Sequence, residues 1–115
     1  MSNTGDLLDE LANAEPALAR LRDEHIAFNG ELLPHVLFGD VTRWVVAHAP
    51  ATHVLEVLER HLATGDADVD NLIGVSFLEN LEPEETTVRH ALGPRLRATL
   101  DAMESWTPRD LDSPA

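Results

Sequence analysis

Apolar residues recur every three or four positions along most of this chain, and apolar/polar alternation over strand lengths is absent. Leu7, Leu8 and Leu11 predict a short first helix beginning after Asn3 or Thr4. Pro16 suits the first position of a second helix, with Leu18, Leu21 and Ile26 inward and an outer i,i+4 pair between Arg20 and Glu24. Asn29-Gly30 marks a turn. Pro34 is tolerable in the first turn of a helix, which Gly39 is expected to close. Asp40 would then cap a segment from Val41 to His48, with Trp44 and Val45 buried, that ends at Ala49-Pro50.

The second half repeats the pattern more strongly. Thr52 opens an amphipathic helix to about Ala63, with Leu55, Leu58 and Leu62 as its inner stripe, Val54 beside them, and Glu56 paired with Arg60 outside. Thr64-Gly65 stops it. Asp66 or Asp68 caps a helix over about 69–81 that is apolar nearly all round, through Val69, Leu72, Ile73, Val75, Phe77, Leu78 and Leu81. Such a helix belongs at the centre of a bundle. After Pro83, Glu84 and Glu85 open a last helical stretch carrying Val88, Leu92, Leu96, Leu100 and Met103, which Gly93-Pro94 kinks or splits before Trp106 ends it. The expectation is an all-α fold: one domain over 1–115, a compact bundle of five to seven short helices, with flexible ends at 1–5 and 108–115.

Composition bounds the function. With 115 residues and 43% hydrophobic content, the chain can build a core. No apolar run reaches membrane-spanning length, and the first residues lack the basic and apolar regions of a secretory signal, which points to the cytoplasm. The absence of cysteine removes disulfides, thiolate metal sites and cysteine nucleophiles. All eight basic residues are Arg, against 21 acidic ones, so the formal net charge is −13. A chain of that charge has no basic stripe with which to bind nucleic acid.

The charge is unevenly placed. Asp66, Asp68, Asp70, Glu79, Glu82, Glu84 and Glu85 lie between Arg60 and Arg89 with no basic residue among them. Folding accounts for the apolar run Leu72–Leu78 inside this segment. It does not account for the acid, because clustered like charge opposes compaction. These seven carboxylates are therefore the candidate contact residues for a basic partner.

Other constellations are incomplete. Asp66-Ala67-Asp68-Val69-Asp70 has the opening spacing of a calcium loop, but Asn71 stands where such a loop needs Gly and Phe77 where it needs Glu. A helix cap explains those acids better. His53 and Glu56 form a single His-x-x-Glu pair, short of the ligand set of a di-iron bundle, so no metal ligand or cofactor is assigned. Gly74-Val75-Ser76-Phe77-Leu78 lacks the second glycine of a nucleophile elbow. Ser76 is read instead as a small residue that lets a neighbouring helix approach, its hydroxyl bonding back to the carbonyl of residue 72. No catalytic residue is assigned.

Two stretches, Glu31-Leu32-Leu33-Pro34-His35-Val36-Leu37-Phe38-Gly39-Asp40-Val41-Thr42-Arg43-Trp44 and residues 65–81, ending Ser76-Phe77-Leu78-Glu79-Asn80-Leu81, resemble a family of small, acidic, all-helical bacterial proteins of the immunity type. Such proteins neutralise a toxin delivered between neighbouring cells. The resemblance implies a non-enzymatic cytoplasmic inhibitor of a basic protein toxin, for example a nuclease, with no nucleic-acid or membrane partner. Two alternatives stand beside it. One is a metal-binding helical bundle or metal-dependent enzyme using His and Glu. The other is a small regulatory or adaptor domain, with homodimerisation through an apolar face.

Overall fold

The computed structural model describes residues 3–64 and 66–105. Local chemistry sets the helix starts. Asn3 and Asp6 form a reciprocal capping box that opens α1 (Thr4–Ala14). Glu15 caps α2 (Pro16–Asn29), Asp66 caps α5 (Ala67–Asn71), and proline holds the first position of α2, α3 (Pro34–Ala47) and α7 (Pro94–Ser105). Between these lie α4 (Thr52–Thr64) and α6 (Thr86–Ala91). The fold is all-α, with seven α-helices among the described residues.

The helix beginning at α5 changes its winding as it proceeds. It passes into a π-helical stretch, Leu72–Phe77, and finishes as a 3₁₀ turn, Leu78–Asn80. It is the central element expected over 69–81, with one correction: Val75 points outward and is 47% exposed, while its five π-helical neighbours are buried. Wider winding displaces side chains around the axis relative to an α-helix, so the apolar sequence does not all face inward. Ser76 shows the same effect. Its hydroxyl lies 2.6 Å from His35 Nδ1 on α3 and does not bond back to residue 72. Its carbonyl accepts both Thr42 Oγ1 (3.0 Å) and Asn80 Nδ2 (2.9 Å).

The core joins Leu7, Leu11, Leu37, Phe38, Val45, Val54, Leu58, Val69, Ile73, Phe77, Val88 and Leu96, all nearly or fully inaccessible. Each such side chain contributes about 1.5–3 kcal/mol relative to exposure. Around the central helix, α3 packs on the π-helical stretch, α1 packs on α2 and α4, and α4 packs on α7.

Several local expectations are corrected. Gly39 does not end a turn and Asp40 does not cap a new helix; α3 runs through both without a break, and Asp40 pairs with Arg43. Trp44 is half-buried against the core, stacked on His48 at 4.3 Å between ring centroids. Glu84 and Glu85 precede α6, which begins at Thr86. Arg60 pairs with Glu10 of α1 instead of Glu56, and Arg22, not Arg20, provides the ion pair of α2, to Asp9. These two pairs cross between helices because a packed neighbour places a carboxylate nearer than the same helix does. Ile26 faces solvent at 39% exposure. Trp106, expected to end the last helix, and residues 108–115, expected to be flexible, lie outside the described residues.

Candidate partner-binding surface

The seven acidic residues occupy three structural situations. Asp66 is bound into the helix start, where its carboxylate accepts the Val69 N–H at 3.0 Å. Asp68 and Asp70 follow in the first turn of α5, exposed, where the positive end of the helix favours them. Glu79 sits exposed in the 3₁₀ turn, and Glu82, Glu84 and Glu85 in the link to α6, of which only Glu85 is half-buried. None of the seven takes part in an ion pair among the described residues. The two ends of the acidic segment stand apart, because the helix from Ala67 to Asn80 holds them about 20 Å from each other at 1.5 Å per residue.

The link carrying Glu82–Glu85 is held by its backbone. Arg89 donates to the carbonyls of Leu81 (2.7 Å) and Glu82 (3.0 Å), and its guanidinium meets both carboxylate oxygens of Glu104 (3.0 and 3.2 Å). The basic residue bordering the segment on this side is thus engaged by carbonyls and by Glu104. The nearby carboxylates stay available to something else.

Of three grooves lined by these acids, one holds only Asp70, beside Arg95, and two hold a pair of them. The first of these two, of about 680 Å³, lies between the π-helical stretch and α7. Gly74, Val75, Ala102 and Met103 form its apolar floor, and Asp70 and Glu79 stand at its edges. The second, about 390 Å³, brings Glu82 and Glu85 against Gly39, Thr42, Arg43 and Ala47 of α3.

Five of the six histidines are engaged structurally, His90 being the exposed exception. His53 donates to Glu15 (2.8 Å) and His61 to Glu10 (2.8 Å), each tying α4 to the first helices. His25 accepts the Leu33 N–H, and His48 donates to the Trp44 carbonyl. The His53 hydrogen bond, followed by that from the Ala17 N–H, lowers the Glu15 pKa below the ordinary carboxylate value. His53 does not join Glu56 at all. Among the described residues no group of three or more His, Asp or Glu side chains gathers as a metal ion requires. The His35–Ser76 pair has the contact distance of a base and a hydroxyl. The described residues place no carboxylate hydrogen bond on His35, however, and Ser76 is only 5% exposed. The pair satisfies a buried hydroxyl at the π-helical stretch.

Periodicity did not reveal Phe28, which is 90% exposed, or Val36, at 57%. Leu18, Leu21, His25 and Phe28 keep the three- and four-residue spacing of one inward stripe, but the last turn of α2 overhangs the core. The available signal was Asn29-Gly30, which ends the helix one residue after Phe28.

A family model described as a domain of unknown function, DUF7674, matches residues 8–107, and the chain belongs to that family. No curated protein and no solved structure matches it. Among the described residues no helix is long and apolar enough to cross a membrane.

Proposed function

We propose that the chain is a non-enzymatic immunity-type protein that binds a basic protein toxin and neutralises it by covering its working surface. The observation that carries this reading is an asymmetry in ion pairing. Outside the segment, five of the twelve described acids, Asp9, Glu10, Glu15, Asp40 and Glu104, have a cationic or histidine partner. The seven acids of the Arg-free segment have none among the described residues, although they make up 7 of the 21 acidic residues in the chain. Unpaired carboxylates of one sign raise the free energy of the compact state and lower it again when a cationic surface arrives. They also steer encounter, raising association toward about 10⁸ M⁻¹s⁻¹ at low salt. The reading implies a cytoplasmic site of action, where an incoming toxin is met.

The test uses the recombinant basic domain of the toxin, to be sought in the genes neighbouring this one. Association should slow as salt rises. A chain carrying Asp68→Arg, Asp70→Arg, Glu79→Arg and Glu84→Arg should associate at least tenfold more slowly, with a flatter salt dependence. Asp66 is left intact because it caps α5. Unchanged association kinetics would sink the reading.

A further inference from the structure

Among the described residues, four of the five exposed large apolar side chains, Ile26, Phe28, Leu32 and Val36, belong to the junction of α2 and α3. Of the four, Phe28 and Val36 line a common groove, and apolar exposure gathered in this way marks interaction surfaces. The junction is pinned in place. Gly30, at φ 78°, closes α2 with its N–H bonded to the Ile26 carbonyl at 2.8 Å. His25, 6% exposed, accepts the Leu33 N–H at 2.9 Å, and Asn29 Nδ2 donates to the His25 carbonyl at 2.9 Å. These three contacts order a turn that leaves Phe28 and Leu32 exposed on either side of Asn29, Gly30 and Glu31. Beside it a groove of about 710 Å³ runs between α2 and α3, with Phe28 and Val36 on its walls and Glu24 and Asp40 at its edge.

The outer stripe of α3 carries this patch onward. Val36, Asp40, Arg43 and Ala47 recur at three- and four-residue spacing; Asp40 is half-buried and the others are exposed. Val36 and Asp40 line the groove toward α2, while Arg43 and Ala47 line the groove on the other side, with Glu82 and Glu85. Arg43 pairs with Asp40 and makes no ion pair with those glutamates among the described residues. Apolar patch and unpaired acid therefore share one face, with Val36 and Ala47 about 16 Å apart along the helix.

We infer that this α3 face is the docking surface for one occupant, a basic partner protein that seats an apolar side chain beside Phe28 and Val36 and sets cationic side chains against Glu82 and Glu85. The inference rests on the basic-partner reading above and names the surface that reading requires. Charge selects this occupant over a second copy, because a two-fold contact here would press together two chains of −13 each. The two halves of the face act on different rates. Unpaired acid accelerates encounter, and a desolvated aromatic anchor slows dissociation.

The experiment titrates the ¹⁵N-labelled full chain with a synthetic amphipathic helical peptide of lysine and leucine. A control peptide of equal charge has every leucine replaced by serine. Amide shifts are expected over residues 26–36 and 80–85. Phe28→Ser should weaken the leucine peptide about tenfold or more without changing the melting temperature, and the serine control should bind at least tenfold more weakly. Glu82→Gln with Glu85→Gln should reduce affinity and flatten its salt dependence. Shifts confined to the Asp70–Glu79 groove, or unchanged affinity in Phe28→Ser, would overturn the assignment. So would a sedimenting wild-type dimer that Phe28→Ser converts to monomer, since the face would then belong to a second copy. The toxin reading fails separately, in the association kinetics of the variant at positions 68, 70, 79 and 84, three of which, Asp68, Asp70 and Glu79, lie off this face.

Discussion

The carboxylate of Glu59, on α4, lies against the Cα of Gly93 and accepts the backbone N–H groups of Arg95 (2.8 Å) and Leu96 (3.0 Å). It caps α7 from 36 residues away in sequence. A Cβ at position 93 would meet Glu59 Oε1 at 2.5 Å and its Cδ at 2.7 Å, so any larger residue there displaces the Glu59 carboxylate. The obstructing atoms are the movable end of a side chain. Gly93→Ala should therefore cost the cap, about 1 kcal/mol, without disrupting the backbone. Glu59→Ala should cost a similar amount. In the Glu59→Ala background, Gly93→Ala should be nearly neutral, and urea unfolding of the four chains measures that coupling.

The acidic segment should divide by role when its members are neutralised. Asp66→Ala removes the acceptor for the Val69 N–H and should destabilise by about 1 kcal/mol. Glu79→Gln, Glu82→Gln and Glu84→Gln remove exposed carboxylates that have no ion pair among the described residues, and each should leave stability within about 0.5 kcal/mol or raise it. Thermal unfolding of the four variants separates the cap from the free acids. A large loss in any glutamine variant would show a structural role for that carboxylate.

Glu15 predicts a pH effect with a definite sign. Its folded pKa is lowered, first by the His53 hydrogen bond and then by the Ala17 N–H, so it adds stability above the ordinary carboxylate value of about 4.5, and that contribution is lost as the pH falls through the lowered value. Glu15→Gln keeps a side-chain acceptor for Ala17 but cannot ionise. The variant should be less stable than the wild type at pH 6, and the gap should close as the pH falls below about 4.5. Urea midpoints across that range are the measurement.

His25 predicts the cost of losing the turn under Phe28. Replacing it with alanine leaves a cavity and an unpaired Leu33 N–H, a loss of about 2 kcal/mol or more. Hydrogen exchange at Leu33 should speed up while amides of α4 keep their protection relative to global unfolding. Gly30→Ala strains the same turn through its positive φ and should cost about 1 kcal/mol.

The amino-acid sequence by itself determined what depends on a few neighbouring residues. Asn3 with Asp6, Pro16, Pro34, Asp66 and Pro94 announce helix starts, and Asn29-Gly30 announces a stop, because capping and φ restriction act within one turn. The leucine and valine spacing fixed the all-α class and most of the core for the same reason. The separation of Asp66 from the free acids was partly legible, since only the cap has a local cause. Tertiary structure alone decided the rest. Glu59 reaches Leu96 across 37 residues, His35 reaches Ser76 across 41, and Glu10 reaches His61 across 51. The same distance effect sent Arg60 to Glu10 in place of its helical neighbour. Exposure of Phe28, Val36 and Val75 was decided there too. A residue at core spacing is buried only if another element covers it, and the ends and winding of the helices left these three uncovered.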